Sequence, residues 1–110
     1  MKLQEIIEKV GLNALTNVED KEIEGAFISD MLSDVMTSAL SGQLWLTSQT
    51  HTNIVSAANL VDLGGIVVTQ DKEVPRATIE LANRYHVVIL TTPLQNFQLA
   101  MKLMEIGLKP

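Results

Sequence analysis

The apolar residues of this chain fall first at helical spacing and then alternate between strand-like and helix-like runs up to the C-terminus. Leu3, Ile6, Ile7 and Val10 stand at i, i+3, i+4 and i+7, the pattern of an amphipathic helix, and Gly11 is a natural stop. A short strand is expected over Leu12 to Thr16, then an exposed acidic connection, "NVEDKEIEG", and a second short strand at Ala26-Phe27-Ile28. Ser29 or Asp30 is placed to cap a helix carrying Met31, Leu32, Val35, Met36, Ala39 and Leu40, which Gly42 ends. Leu44 to Thr47 is the third strand, and Asn53 to Leu63 the next helix, with Ala57 and Ala58 small enough to let it approach a sheet closely. Gly64-Gly65 breaks that helix. Ile66-Val67-Val68-Thr69 is a β-branched run between breakers, which predicts a strand buried on both faces. Pro75 falls in the first turn of a helix that continues through Ala77, Leu81, Ala82 and Tyr85, and Val87 to Leu90 is the last strand. Thr92-Pro93-Leu94-Gln95 has the form of a capping box with Pro at the first helical position, so the final helix is expected to start there and run to Gly107.

From residue 26 onward the order is β-α-β-α-β-α-β-α with short connections. Continuous apolar strands alternating with helices predict an α/β fold, a single three-layer α/β/α domain over 1–110. Its mostly parallel sheet would have about five strands, joined by right-handed crossovers. The final helix stands apart. Leu94, Phe97, Leu99, Ala100, Met101, Leu103, Met104 and Ile106 surround most of it, leaving Gln98, Lys102 and Glu105 as a narrow polar strip. Such a helix is buried on more than one side, either against another subunit or deep under the N-terminal helix.

Composition sharpens this. Hydrophobic residues make up 46 % and charged ones 19 %, below the usual quarter. A chain this apolar covers itself poorly as a monomer, which points to a homo-oligomer, here taken as a homodimer. The net charge is −5, and the eight Lys and Arg are scattered. Duplex nucleic acid and anionic lipid both demand a clustered basic face, so neither is an expected partner. There are no cysteines, which excludes disulfides, thiolate catalysis and cysteine–zinc sites. No run approaches a membrane span, and "MKLQEIIEKVG" has acidic residues where a signal peptide is apolar; a cytoplasmic location is the expectation.

Catalytic signatures are missing: no phosphate loop of the G-x-x-x-x-G-K-[ST] type, no G-x-G-x-x-G and no G-x-S-x-G. His51 and His86 lack the spacing of a zinc site, so neither metal nor cofactor is expected, and His86 is expected at a strand edge. Asp30 and Asp34, four apart, have the spacing of a chelating or proton-sharing pair. The preferred reading is a pair of carboxylates near a helix N-terminus, stabilised by its dipole. An enzyme would rest on His51 among scattered hydroxyls, too little for a catalytic pair. The remaining candidate is "TSQTHTN", polar throughout without a fixed charge. In an open parallel sheet, ligands sit beyond the carboxyl ends of the strands. Thr47, Ser48, Gln49, Thr50, His51, Thr52 and Asn53 occupy that edge, with Thr69 and Gln70 after the next strand and Thr91 and Thr92 after the last. Hydroxyls, an amide, an imidazole and the N–H groups of the following helix suit a small polar ligand. The alternative is that Thr50 or Thr52 merely caps the helix while Gln49 and His51 face water.

The segments "LQEIIEKVGLNALT", "GAFISDMLSDVM", "LWLTSQTHTNIVSAANLVDLGGIVVT" and "TTPLQNFQLAMKLMEIG" together resemble the stand-alone DRTGG-domain proteins over essentially the whole chain. The resemblance implies an α/β domain akin to the N-terminal domain of HPr kinase/phosphorylase. Related modules occur in some phosphotransacetylases and in regulatory cystathionine-β-synthase-type pyrophosphatases. It further implies an accessory, non-catalytic role, and, because solitary members are often encoded near iron-only hydrogenase and electron-transfer genes, a hydrogenase-associated or metabolic protein partner. The chain departs from the family's name-giving residues. Thr50-His51-Thr52-Asn53 replaces the Asp-Arg pair, and the Gly-Gly position reads Thr69-Gln70; Gly64-Gly65 lies before the strand and is a different feature. An Arg-dependent phosphate contact is therefore not carried over, nor is kinase activity, which belongs to another domain. The expected function is a regulatory or small-ligand-binding module; the alternative is an interaction subunit of a redox or metabolic complex without a small-molecule ligand.

Overall fold

A computed structural model describes residues 1–110. The elements are α1 (Leu3–Val10), β1 (Asn13–Ala14), β2 (Gly25–Ile28), α2 (Leu32–Ser38), β3 (Gln43–Thr47), α3 (Asn53–Val61), β4 (Gly65–Val68), α4 (Arg76–Arg84), β5 (Ile89–Thr91) and α5 (Asn96–Glu105). They form one five-stranded sheet in the order β1-β5-β4-β3-β2, parallel from β2 to β5, with β1 added antiparallel at one edge. The α/β reading of the sequence is the architecture of the chain.

Two cores sit on opposite faces of the sheet. Because strand side chains alternate, Trp45, Ile66, Val68 and Ile89 meet Val35 of α2, Ile54, Val55, Ala57 and Ala58 of α3 and Ala82 of α4. Leu44, Leu46, Val67, Val88 and Leu90 meet Leu3 and Ile6 of α1 and Leu99 and Leu103 of α5. β4 is buried throughout, as its β-branched run predicts, and β3 is buried from Leu44 onward.

The ends of elements depart from the pattern, each through a local hydrogen bond. α5 begins at Asn96 rather than Pro93, since the Leu94 N–H donates to Thr92 Oγ1 at 3.2 Å and makes a turn there. The capping pair is Gln95 with Gln98, whose Oε1 accepts the Gln95 N–H at 3.0 Å. α2 starts after Met31, without a side-chain cap from Ser29 or Asp30, and α4 starts after Pro75. α3 ends at Asp62 in the left-handed conformation (φ 61°), held by Ser41 Oγ, which lies within donating distance of the Asp62 carbonyl and carboxylate at 3.2 and 2.9 Å. Gly64 is therefore not a helix stop. A Cβ there would collide with the Ile23 side chain and lie 3.0 Å from the Gly42 carbonyl oxygen, so it is close packing that needs glycine. The antiparallel β1 is a two-residue remnant of the strand expected over 12–16. α5 is not enclosed: Leu99 and Leu103 are buried, but Phe97, Met101 and Met104 are 76, 48 and 64 % exposed.

Candidate functional site

The parallel register brings the strand ends into one row, with Thr47 paired to Val68 and Val68 to Thr91. The loops leaving these strands form the edge that the sequence singles out. α4 belongs to one face of the sheet and α5 to the other, so the loops after the neighbouring strands β4 and β5 part to opposite sides. That parting is the geometry of a ligand crevice in an open α/β sheet.

Here the crevice is laced shut. The Gln70 N–H donates to the Leu94 carbonyl at 2.9 Å, the Asp71 N–H to the Thr92 carbonyl at 3.1 Å, and the Thr92 N–H to the Val68 carbonyl at 3.1 Å. Gln70 and Asp71 hold left-handed backbone (φ 65° and 56°) to make the first two bonds. Three of the candidate hydroxyls are buried on Thr47, Thr69 and Thr92. Thr69 Oγ1 donates to Asn96 Oδ1 at 2.6 Å, and Thr92 Oγ1 accepts the Leu94 N–H. Thr91 turns toward the outer strand, with Oγ1 3.5 Å from the Asn13 carbonyl. The hydroxyls of this row hold the loops in place; none of these three points to solvent.

The fourth strand end supplies a residue that sequence reasoning assigned elsewhere. Asp30, just beyond β2, reaches across to the β3 loop. Its Oδ1 accepts the Thr47 hydroxyl at 2.7 Å and the Ser48 N–H at 2.8 Å, and its Oδ2 accepts the Ser48 hydroxyl at 2.9 Å. Thr47 Oγ1 in turn accepts the Gln49 N–H at 3.1 Å. Partial burial pushes the Asp30 carboxyl upward, yet the three hydrogen bonds outweigh it and hold the group below the ordinary aspartate value. Asp30 lies outside α2, so it shares no helix face with Asp34. The dipole reading survives for Asp34, in the first turn of α2, and no cluster of metal-binding side chains exists. His86, expected at a strand edge, lies in the turn before β5 with φ 58° and its Nδ1 3.1 Å from Glu19.

Above this clasp, Gln49, His51 and Asn53 are exposed, while Ser48, Thr50 and Thr52 are half-buried. Thr50 is pinned through its carbonyl, which accepts the Thr78 hydroxyl at 2.8 Å. Thr52 occupies the N-cap of α3 without a side-chain cap, its hydroxyl 3.4 Å from His51 Nδ1. Two N–H groups of the first turn, Ile54 and Val55, are taken by the carbonyls of His51 and Thr52. The outcome is an open polar shelf on a rigid base. The chain's surface cavities lie elsewhere, the largest being a groove of about 420 Å³ between α3 and α4, lined by Val55, Ser56, Asn59, Leu60, Leu81 and Tyr85. Electrostatics at the shelf are acidic: the four loops of this edge carry Asp30, Asp71 and Glu73 against Lys72 alone. Arg76, which opens α4, is paired with Glu80 at 3.0 Å.

No protein-family model matches the chain, and no curated protein does. A similar solved structure is the crystal structure of the CBS and DRTGG domains of the regulatory region of Clostridium perfringens pyrophosphatase, complexed with the activator diadenosine tetraphosphate. The match has a TM-score of 0.70 at 15 % identity and covers 92 % of this chain. The chain spans 45 % of the length of that structure, and the likeness is one of fold.

Proposed function

We propose that this chain is a non-catalytic regulatory module of the DRTGG type that acts as a homodimer and holds a small polar ligand at the carboxyl edge of its sheet. The observation that carries the reading is the clasped row of strand ends. Asp30, Thr47 and Thr69 fix the loops from below, and Gln49, His51 and Asn53 stand exposed above them. Hydrogen-bonded backbone beneath exposed amides and an imidazole suits a recognition surface, because loops already held in place give up little further conformational freedom when a ligand binds. The fold shared with a regulatory region that binds a nucleotide activator supports the regulatory part. Ser48, Thr50, Thr52, Gln70, Thr91 and Thr92 are the frame of the shelf in this reading.

The charge balance narrows the ligand. Three carboxylates against one lysine repel a polyphosphate, so the ligand class is neutral and hydrogen-bonding. Native mass spectrometry of protein purified gently from its own host tests this directly. A discrete added mass is expected on the wild type and is expected to disappear in His51→Ala/Asn53→Ala, with the fold unchanged by circular dichroism. An adduct that survives both substitutions would move the site elsewhere. The exposed Phe97, Met101 and Met104 support a second reading, an accessory subunit whose apolar helix meets another protein of a redox or metabolic complex. A spectrum with no adduct in any preparation would favour it.

A further inference from the structure

The exposed residues of α5 are regularly spaced. Phe97, Met101 and Met104 follow one another at intervals of four and three, an apolar stripe distinct from the buried pair Leu99 and Leu103, with half-buried Leu94 three residues before it and buried Leu108 four residues after it. The middle three side chains are open to solvent. Beside the C-terminal half of the same helix lies a mainly apolar groove of about 110 Å³, walled by Ala26 and Ile28 of the edge strand β2, by Ala100, Leu103 and Met104 of α5 and by Leu108, Lys109 and Pro110 after it. This side of the molecule therefore carries both an exposed aromatic ring, in the first turn of α5, and an apolar hollow, beside its C-terminal half.

We propose that this face is an isologous interface with a second copy of the chain, the two α5 helices crossing antiparallel. A two-fold axis passing midway between Met101 and Met104 sends Met101 onto the partner's Met104. It also sends Phe97 onto the level of the partner's Leu108, at the mouth of the hollow. A two-fold interface requires a patch that is complementary to itself, and an aromatic ring at the N-terminal end of α5 with a hollow beside its C-terminal half is such a patch. Ala100 and Gly107 flank the seam on one side and leave room for close helix approach; Gln98 and Glu105 flank it on the other, a hydrogen-bonding pair across the axis. The helix is about 15 Å long, too short alone for the ~1,200 Å² of a stable interface. The edge strand and C-terminal residues that wall the hollow extend the contact. This gives the proposed homodimer its surface, and its test reads mass and geometry rather than ligand, so it fails separately from the ligand site.

Sedimentation velocity over a thousandfold range of concentration is expected to show a monomer–dimer equilibrium for the wild type. Phe97→Glu and Met101→Asp are expected to weaken it at least a thousandfold, leaving monomer over this range, and Leu60→Glu, on the opposite layer, to leave it unchanged. The chain has no cysteine, so single cysteines report the geometry. A mixture of Met101→Cys and Met104→Cys chains should cross-link more readily than either alone. Phe97→Cys should not link to itself, its two copies lying roughly 16 Å apart along the axis. A monomer at every concentration, a dimer indifferent to Phe97→Glu and Met101→Asp, or efficient self-linking of Phe97→Cys would each overturn the proposal.

Discussion

At the scale of single residues, Asp30 controls the candidate edge more than any other side chain. It ties the end of β2 to the end of β3 with three hydrogen bonds, and one of the donors, the Thr47 hydroxyl, belongs to a fully buried residue. Asp30→Ala would leave that hydroxyl without an acceptor, and an unsatisfied buried donor costs about 1–3 kcal/mol. Solvent access at Asp30 puts the loss toward the lower end, to be read as a shift in the urea midpoint. The sign of the pH dependence follows from the depressed pKa. The carboxylate stabilises the fold above the unfolded-state value of about 3.9, and that contribution is lost as pH falls through the lower folded value. The stability gap between wild type and Asp30→Ala should therefore be full at neutral pH and narrow as pH falls below the unfolded-state value, while a gap that does not change with pH in the acid range would contradict the clasp. The candidate edge was legible in sequence as a set of positions, because threonine directly after a strand is a local signal. Which hydroxyls turn inward was not, since Thr47, Thr69 and Thr78 find their partners 17, 27 and 28 residues away.

At the scale of elements, α5 shows what a hydrophobic pattern conveys and where it stops. The pattern located the helix and its near-circumferential apolar surface, but the sheet can cover only one side of it. Leu103, 2 % exposed, is packed among Leu44, Leu46 and Val67, whereas its neighbour Met104 is 64 % exposed. Leu103→Ala should cost about 2–5 kcal/mol in chemical denaturation at low concentration, where pairing is absent, and Met104→Ala well under 1 kcal/mol. Equal losses would mean that the helix is rotated about its axis. The alternation of β-branched runs with amphipathic runs was likewise enough to read the parallel sheet and its flanking helices. Element ends were less legible because short bonds decide them. Thr92 makes a turn rather than an N-cap, Asp62 takes the left-handed position before the glycines are reached, and Gly64 answers to Ile23, far away in sequence.

At the scale of the whole molecule, the chain divides its apolar residues between two sealed cores and an unsealed remainder on both outer layers. If α5 closes its remainder against a second copy, association and folding are linked, because the unfolded chain does not pair. Above the dissociation constant, each tenfold rise in concentration then adds about 1.4 kcal/mol per dimer, or roughly 0.7 kcal/mol per chain. For a domain of this size that raises Tm by roughly 3–5 °C. Scanning calorimetry at concentrations spanning two decades should show this rise for the wild type and a flat Tm for Met101→Asp. The flat line matters as much as the slope: Met101 contributes little to either core, so its loss should lower only the concentration-dependent part of the stability. A Tm that rises equally in both proteins would take the pairing surface away from α5 and turn the search to the opposite layer, where Leu60 and Tyr85 stand exposed beside the larger groove.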